Sequence, residues 1–76
     1  MNKTGRALFR VGGLKDQEGR KEIEHNLIQI DGVRNVRVSI PDRTVNVEFD
    51  PGVIREEYLE RTLDSLGYSP YVLPNG

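Results

Sequence analysis

The chain has 76 residues, no cysteine, and a balanced charge, with 11 Lys plus Arg residues against 12 Asp plus Glu residues. This length allows one small domain, and the lack of cysteine excludes disulfides and thiolate ligands. A near-neutral charge argues against bulk binding of nucleic acid or membranes, and because no apolar run resembles a signal peptide or membrane span, we predict a cytoplasmic protein.

The first predicted element is a strand over residues 7–12, in which Ala7, Phe9 and Val11 share one face. Residues 1–6 and 74–76 are polar and are expected to be flexible, so that a single domain spans residues 7–73. The paired glycines at 12 and 13 end the strand, because glycine readily adopts a positive φ. Loops on rigid scaffolds often carry binding sites, so we expect this loop to bind a ligand or to have lost that ability.

A helix follows the loop. Asp16 is a candidate N-cap, and the spacing of Ile23, Leu27 and Ile30 predicts a helix as far as residue 30. Gly32 is expected to follow it as the C′ glycine.

A hairpin is predicted next, from two alternating segments over residues 33–40 and 44–50 joined at Pro41. Its inward positions would be Val36, Val38, Ile40, Val45, Val47 and Phe49.

The second helix is expected over residues 56–66, with Leu59, Leu63 and Leu66 buried and Gly67 as its C-terminal glycine. The last strand, over residues 69–73, contains Pro70. A central strand must donate a hydrogen bond that proline lacks, so this strand should lie at a sheet edge.

The predicted order is therefore βαββαβ, which indicates an α+β, ferredoxin-like sandwich. Each strand has a single apolar face, so both helices should cover the same face of a four-stranded antiparallel sheet. We expect the sheet order 4-1-3-2.

Other proteins with this fold bind RNA or hydrolyse acylphosphates, but this chain has few of the residues that those functions need. The outer sheet face is expected to carry no aromatic for stacking RNA bases, since its residues are Leu8, Arg10, Arg37, Ser39, Thr44, Asn46 and Glu48. An acylphosphatase-like site would need a partner asparagine beside Arg20, and no nucleophile and base pair is evident, so we predict no enzymatic activity.

Two further features have an ordinary and a functional interpretation. His25 is the only histidine and is expected to be a surface residue rather than a ligand. Arg34, Arg37 and Arg43 lie on or beside the hairpin; an anionic docking patch is one interpretation, and ordinary surface arginines are the commoner one.

An ordered set of motifs covers residues 7–73. It comprises Val11-Gly12-Gly13-Leu14, Ile23-Glu24, Leu27, Gly32-Val33, Val36, Val38, Val47-Glu48-Phe49-Asp50-Pro51, Leu59, Leu63 and Gly67-Tyr68. In these residues the chain resembles the heavy-metal-associated (HMA) domain family of copper chaperones and of the N-terminal domains of metal-transporting P-type ATPases.

The resemblance implies a metal-binding loop after the first strand, but this chain lacks the two metal ligands of that loop. The two family cysteines, which bind Cu(I) or Zn(II), correspond to Asp16 and Gly19. Leu14 corresponds to the methionine that packs beneath the loop, and Tyr68 to a tyrosine near the loop in bacterial relatives. Gly13 and Lys15 complete the loop.

We therefore expect an HMA-type domain related to copper trafficking whose soft-metal site is lost, with no cofactor and with a role in protein contact or regulation. The resemblance implies a partner such as a metal-transporting P-type ATPase or a sister HMA domain. The alternative is metal binding through Asp16 and neighbouring carboxylates, or through ligands shared in a dimer.

Two expectations concern Gly19. Because glycine weakens a helix, Gly19→Ala should stabilise the domain by roughly 0.5–1 kcal/mol. Restoring both cysteines, as Asp16→Cys with Gly19→Cys, should restore Cu(I) binding.

Overall fold

A computed structural model describes residues 4–73 of the chain and confirms the predicted order βαββαβ. The elements are β1 (Gly5–Gly12), α1 (Gln17–Ile28), β2 (Val33–Ser39), β3 (Thr44–Phe49), α2 (Glu56–Ser65) and β4 (Ser69–Val72). The flexibility predicted for residues 1–3 and 74–76 lies outside the described residues. Within residues 4–73, no helix is long and apolar enough to cross a membrane.

The four strands form one antiparallel sheet in the order β2-β3-β1-β4, which confirms the predicted order. Strand β1 is central, so that Phe9 lies between Val45 of β3 and Val72 of β4. Strand β4 is an edge, as Pro70 predicts.

The core lies between the sheet and the two helices, which cover the same sheet face. Phe9, Val45 and Val47 are fully buried from the sheet side, as are Leu59 and Leu63 from α2. Helix α1 contributes Ile23 and Leu27. The predicted inward alternation of β1 and β3 is confirmed, whereas Leu66 is only half-buried and caps α2.

Several element ends differ from the prediction. Strand β1 begins at Gly5, because Gly5 and Arg6 pair with Phe49 and Glu48. Helix α1 ends at Ile28 with Gln29 as its C-cap, two residues before the predicted end. Strand β2 ends at Ser39, and Ile40 begins the turn whose N–H···O=C bond joins Arg43 to Ile40 at 3.1 Å.

Gly32 is not the C′ residue of α1, since it lies three residues beyond the C-cap. Its φ is nevertheless +96°, and it forms the turn into β2, where its carbonyl accepts the Asp50 N–H at 2.7 Å. A Cβ atom here would lie 2.9 Å from Val53 Cγ1. Glycine is therefore required by both conformation and space.

Strand β2 contains a bulge that the alternation did not predict. Val33 pairs with Phe49 but Asn35 already pairs with Glu48, so Arg34 is the extra residue. The bulge returns Val33 and Val36 to the same face although they are an odd number of positions apart. Arg34 bonds the Asp50 carboxylate at 3.5 Å.

Candidate functional site

The loop that follows β1 is closed by backbone contacts and by one apolar side chain. Gly13 has φ +98°, and the Leu14 N–H donates to the Val11 carbonyl at 3.4 Å. Leu14 is 1% exposed and belongs to the core. Its burial anchors the loop between β1 and α1, whereas Lys15 lies at the surface.

Asp16 is the N-cap of α1, as the sequence predicts. Its backbone is extended, and its Oδ1 atom accepts the Gly19 N–H at 2.9 Å. Its carbonyl accepts the Arg20 N–H at 3.1 Å. One carboxylate oxygen of Asp16 is thus used to satisfy a helix N–H that would otherwise lack a partner.

Tyr68 is placed by the end of α2. Gly67 has φ +96° and its N–H donates to the Asp64 carbonyl at 3.0 Å, while the Tyr68 N–H donates to the Leu63 carbonyl at 3.2 Å. These two bonds form a Schellman motif, which reverses the chain after the C-cap Leu66. The reversal packs the Tyr68 ring against the core.

From this position Tyr68 reaches across the loop to α1. Its hydroxyl donates to Glu22 Oε1 at 2.8 Å. A Cβ atom built on Gly13 would lie 3.4 Å from the Tyr68 ring, and one built on Gly19 would lie 2.9 Å from the Tyr68 oxygen. The tyrosine therefore fills the space beside Gly13 of the loop and beside Gly19 in the first turn of α1.

The surroundings of the phenol disfavour its ionised form. Partial burial, the hydrogen bond to Glu22 and the negative charges of Glu22 and Asp16 raise the pKa of Tyr68 from 10.0 to about 12. The phenol is therefore neutral at physiological pH, and its O–H donates a hydrogen bond to Glu22.

The residues of this loop do not fit the family's metal. Cu(I) prefers soft thiolate ligands, and the chain has no cysteine. Asp16 offers an oxygen that already accepts a backbone N–H, Gly19 offers no ligand, and Glu22 accepts from Tyr68. Within the described residues, no group of three or more His, Cys, Asp or Glu could hold a metal ion.

The other candidate residues are used elsewhere. His25 is exposed on α1 and shares a hydrogen bond with Gln29 at 2.9 Å. Arg20 bonds Gln17 at 2.7 Å and Glu24 at 3.4 Å, so it belongs to the surface of α1. The structure does not bring these two residues together with the loop carboxylates.

The prediction that the outer sheet face carries no aromatic is wrong. Tyr71 of β4 pairs with Arg10 and shares its outward face, where it is 68% exposed. Pro70 pairs with the inward-facing Val11, so alternation along β4 places Tyr71 outward; this alternation is the signal in the sequence that indicates the aromatic. A single aromatic on an edge strand does not make a stacking platform for RNA.

Comparison with known proteins identifies the fold and the family together. The profile of the heavy-metal-associated domain family matches residues 8–69. The chain belongs to this family. The matched range runs from β1 to the start of β4, so it covers the loop with Asp16 and Gly19 as well as both helices.

The relatives of this HMA domain are copper proteins. Copper-transporting ATPase 2 of Rattus norvegicus is 32% identical over 70 residues, which cover 90% of this chain but only 5% of that protein. The corresponding protein of Mus musculus is 29% identical over 70 residues, with the same coverage. The chain thus spans a small part of the curated relatives that it matches.

Solved structures share the fold of this chain, and one of them is also similar in sequence. The N-terminal domain of a potential copper-translocating P-type ATPase from Bacillus subtilis, solved in its Cu(I)-loaded state, is 31% identical, with a TM-score of 0.86 over 92% of this chain and 88% of that chain. Oxidized MerP from Ralstonia metallidurans CH34 has a TM-score of 0.85 at 21% identity, covering 92% of this chain and 97% of that chain, and shows the fold alone.

Proposed function

We propose that this HMA domain is a protein-contact or regulatory module of copper transport that does not itself carry Cu(I). Family membership supports the link to heavy-metal proteins. The observation that carries the proposal is the Tyr68 hydroxyl, which lies 2.9 Å from the position of a Cβ atom at Gly19 and bonds Glu22 at 2.8 Å.

The chemistry of the loop supports the second half of the proposal, that the domain does not carry Cu(I). A Cu(I) carrier of this family needs two thiolates three residues apart at a helix N-terminus, where the dipole favours their ionised form. Here the first position holds an N-cap carboxylate and the second holds a glycine. The Tyr68 side chain fills the space that the second ligand would enter.

The relatives support the choice of partner. The rat relative is a copper-transporting ATPase, and the Bacillus subtilis domain belongs to a potential copper-translocating P-type ATPase. We therefore infer that the partner is a metal-transporting P-type ATPase or a sister HMA domain, and that the domain works at the cytoplasmic side of such a transporter without catalysing a reaction. Such a module would occupy the partner without exchanging metal with it.

The test is a competition for Cu(I) between the domain and a chromophoric Cu(I) chelator, with a cysteine-containing HMA domain as the positive control. We expect the control to remove copper from the chelator and this domain to leave the absorbance unchanged. Loss of absorbance with this domain would overturn the proposal.

A separate titration followed by NMR tests the alternative of hard-metal binding. Zn(II) and other divalent ions are added while the amide NMR signals of residues 14–20 are followed. Saturable shifts of the Asp16 and Gly19 signals, lost in Asp16→Asn, would favour carboxylate ligation and would contradict the proposal. The Asn variant is suitable because asparagine retains the N-cap oxygen.

A further inference from the structure

Strand β2 has an open edge that is long enough to accept another strand. It lies at one end of the sheet and runs for seven residues, from Val33 to Ser39, without a proline. The opposite edge, β4, has four residues and contains Pro70, which lacks a backbone N–H. Alternate residues of an edge strand direct unpaired N–H and C=O groups away from the sheet, and β2 is the better template of the two.

An open groove of about 430 Å³ runs along the helix side of this edge. It is lined by Lys21, Glu24, His25, Ile28, Asn35 and Val36. Ile28 is an exposed large apolar residue, with 47% of its surface accessible, and lies beside the half-buried Val36. A strand added to β2 would place side chains over Ile28 on this side.

The outer side of the same edge is basic. Arg37 points outward opposite Asn46, and within residues 4–73 it has no ion-pair partner. Arg34, at the bulge, is already paired with Asp50, so Arg37 is the cation of β2 on which the charge argument rests, and no acidic residue lies between Val33 and Ser39. An incoming strand would therefore place its outward side chains beside an uncompensated positive charge.

We propose that the edge of β2 binds an extended segment of a partner protein in which acidic and apolar residues alternate, as an added strand of the sheet. Residues that lie directly opposite each other on paired strands point to the same face of the sheet, and successive residues of each strand alternate between the two faces. The apolar residues would thus cover Ile28 and Val36, while the acidic residues would lie beside Arg37. Backbone pairing would supply the affinity and the alternation the specificity.

A second copy of this chain is a poorer occupant. Pairing of β2 with another β2 would bring together two strands that each carry Arg37, which has no ion-pair partner within residues 4–73, and no acidic residue. The bulge at Arg34 further disturbs the regular pairing of two identical edges. Charge complementarity therefore selects an acidic partner segment.

This inference deepens the proposed function, since it assigns the surface and the partner chemistry of a contact module. The two can fail separately: the Cu(I) competition tests the metal loop, whereas the experiment below uses no metal and probes only β2.

The probe is a nine-residue peptide of alternating glutamate and valine, added to the full chain at 150 mM salt. We expect shifts confined to the amides of residues 33–39 and to Ile28, and slower hydrogen exchange along β2. The same peptide with N-methylated backbone nitrogens, and a lysine-for-glutamate version, should each bind at least about tenfold more weakly. Equal binding of the N-methylated peptide would overturn strand addition.

Two variants test the side chains. Arg37→Glu should weaken binding about tenfold, because it converts an attraction into a repulsion, and Ile28→Ser about fivefold. Arg10→Glu is the matched control: it makes the same charge change on the outer face of central β1, two strands away, and should alter binding less than about twofold. Equal losses in Arg37→Glu and Arg10→Glu would overturn the proposal.

The occupant is tested without peptide. Concentration-dependent shifts of the β2 amides, together with a dimer in sedimentation equilibrium, would overturn the assignment to an acidic partner in favour of a second copy. A monomer whose β2 signals change only with the peptide would support the proposal.

Discussion

The hydroxyl group of Tyr68 lies too close to Gly19 to leave room for a side chain at that position, because a Cβ atom there would be 2.9 Å from the Tyr68 oxygen. Gly19 itself has no positive φ and lies in the first turn of α1, so alanine suits its backbone. The helix would gain from Gly19→Ala, but the tyrosine must move and would weaken its bond to Glu22. The simple stabilisation expected from the sequence therefore no longer follows.

We expect Gly19→Ala to depend on residue 68. In a Tyr68→Phe background, which removes the contacting oxygen, Gly19→Ala should raise the free energy of unfolding by about 0.5–1 kcal/mol. In the native background this gain should vanish or reverse. Urea unfolding of the four proteins in this double-mutant cycle measures the difference. The same gain in both backgrounds would show that the tyrosine moves aside freely.

The ionisation of the Tyr68 phenol should be shifted to high pH. With a pKa of about 12 instead of 10.0, the phenol should ionise late, as followed by the NMR signal of its Cζ atom. Glu22→Gln should lower the pKa toward 10.0, since it removes the negative charge that faces the hydroxyl. Glu18→Gln, in the same helix but not among the causes of the shift, is the control and should leave the pKa unchanged.

The raised pKa also fixes the direction of a pH effect on stability. The unfolded chain loses this proton near 10.0 and the folded chain near 12, so the folded state binds more protons between these values. The contribution of Tyr68 to stability is therefore complete below pH 10 and is lost as pH rises to 12. Tyr68→Phe should remove this part of the decrease; an unchanged pH profile would contradict the assignment.

Two glycines at the ends of elements have the same φ but different space around them, so their alanine variants can be compared. Gly67, after α2, and Gly32, before β2, both have φ +96°, but nothing lies within 4 Å of a Cβ atom at Gly67, whereas one at Gly32 would lie 2.9 Å from Val53. Gly67→Ala should cost about 1–2 kcal/mol from conformation alone. Gly32→Ala should cost more, because the contact adds to the same strain.

Urea unfolding of both variants tests this order of stability. Gly67→Ala should also shift the Tyr68 pKa toward 10.0, since the Schellman motif at Gly67 places the ring beside Glu22. Gly32→Ala, far along the chain from that motif, should not. Equal stability losses in the two variants would show that Val53 adapts to the new side chain.

The contact between Tyr68 and position 19 should also affect Cu(I) binding by a variant in which both cysteines are restored. Asp16→Cys with Gly19→Cys places the second thiol against the Tyr68 hydroxyl, at the position where a Cβ atom meets it at 2.9 Å. We expect the same pair with Tyr68→Phe added to compete for Cu(I) better than the pair alone, as measured against the chromophoric chelator. Equal competition by both variants would mean that the hydroxyl does not restrict the site.

The sequence predicted the elements better than their ends, and the difference has physical causes. Alternation in β1 and β3 and the spacing of Leu59 and Leu63 report burial directly, and these predictions are confirmed. The bulge at Arg34 and the early end of α1 depend on tertiary pairing that no local pattern encodes.

In the candidate site, too, local features could be predicted from the sequence and tertiary contacts could not. The N-cap role of Asp16 follows from its residue type and from the helix behind it, and it is confirmed. The contact of Tyr68 with Glu22 joins residues 46 positions apart, so no spacing along the chain could indicate it. The filling of the space beside Gly19 could therefore be seen only in three dimensions.

At the scale of the whole molecule, the sheet interleaves two halves that look alike in sequence order. The first half supplies β1 and β2, but β3 lies between them, and the second half supplies β3 and β4, but β1 lies between those. Neither half can form a pair of neighbouring strands from its own residues in this arrangement.

We therefore expect residues 1–42 and residues 43–76 to be unfolded as separate peptides and to gain structure when mixed. Circular dichroism of each peptide and of the equimolar mixture measures this, and a scrambled version of residues 43–76 is the control. A folded first half would contradict the interleaving, because its two strands would then have to pair with each other.

The Tyr68 contact also limits how such a domain could recover its family's ligands one substitution at a time. Asp16→Cys alone removes the N-cap oxygen from the Gly19 N–H, and Gly19→Cys alone meets the Tyr68 hydroxyl. Tyr68→Phe alone leaves Glu22 without its donor. Each of these three single substitutions therefore removes or disturbs a native contact, while none of them alone supplies the two thiolates that a Cu(I) site of this family uses.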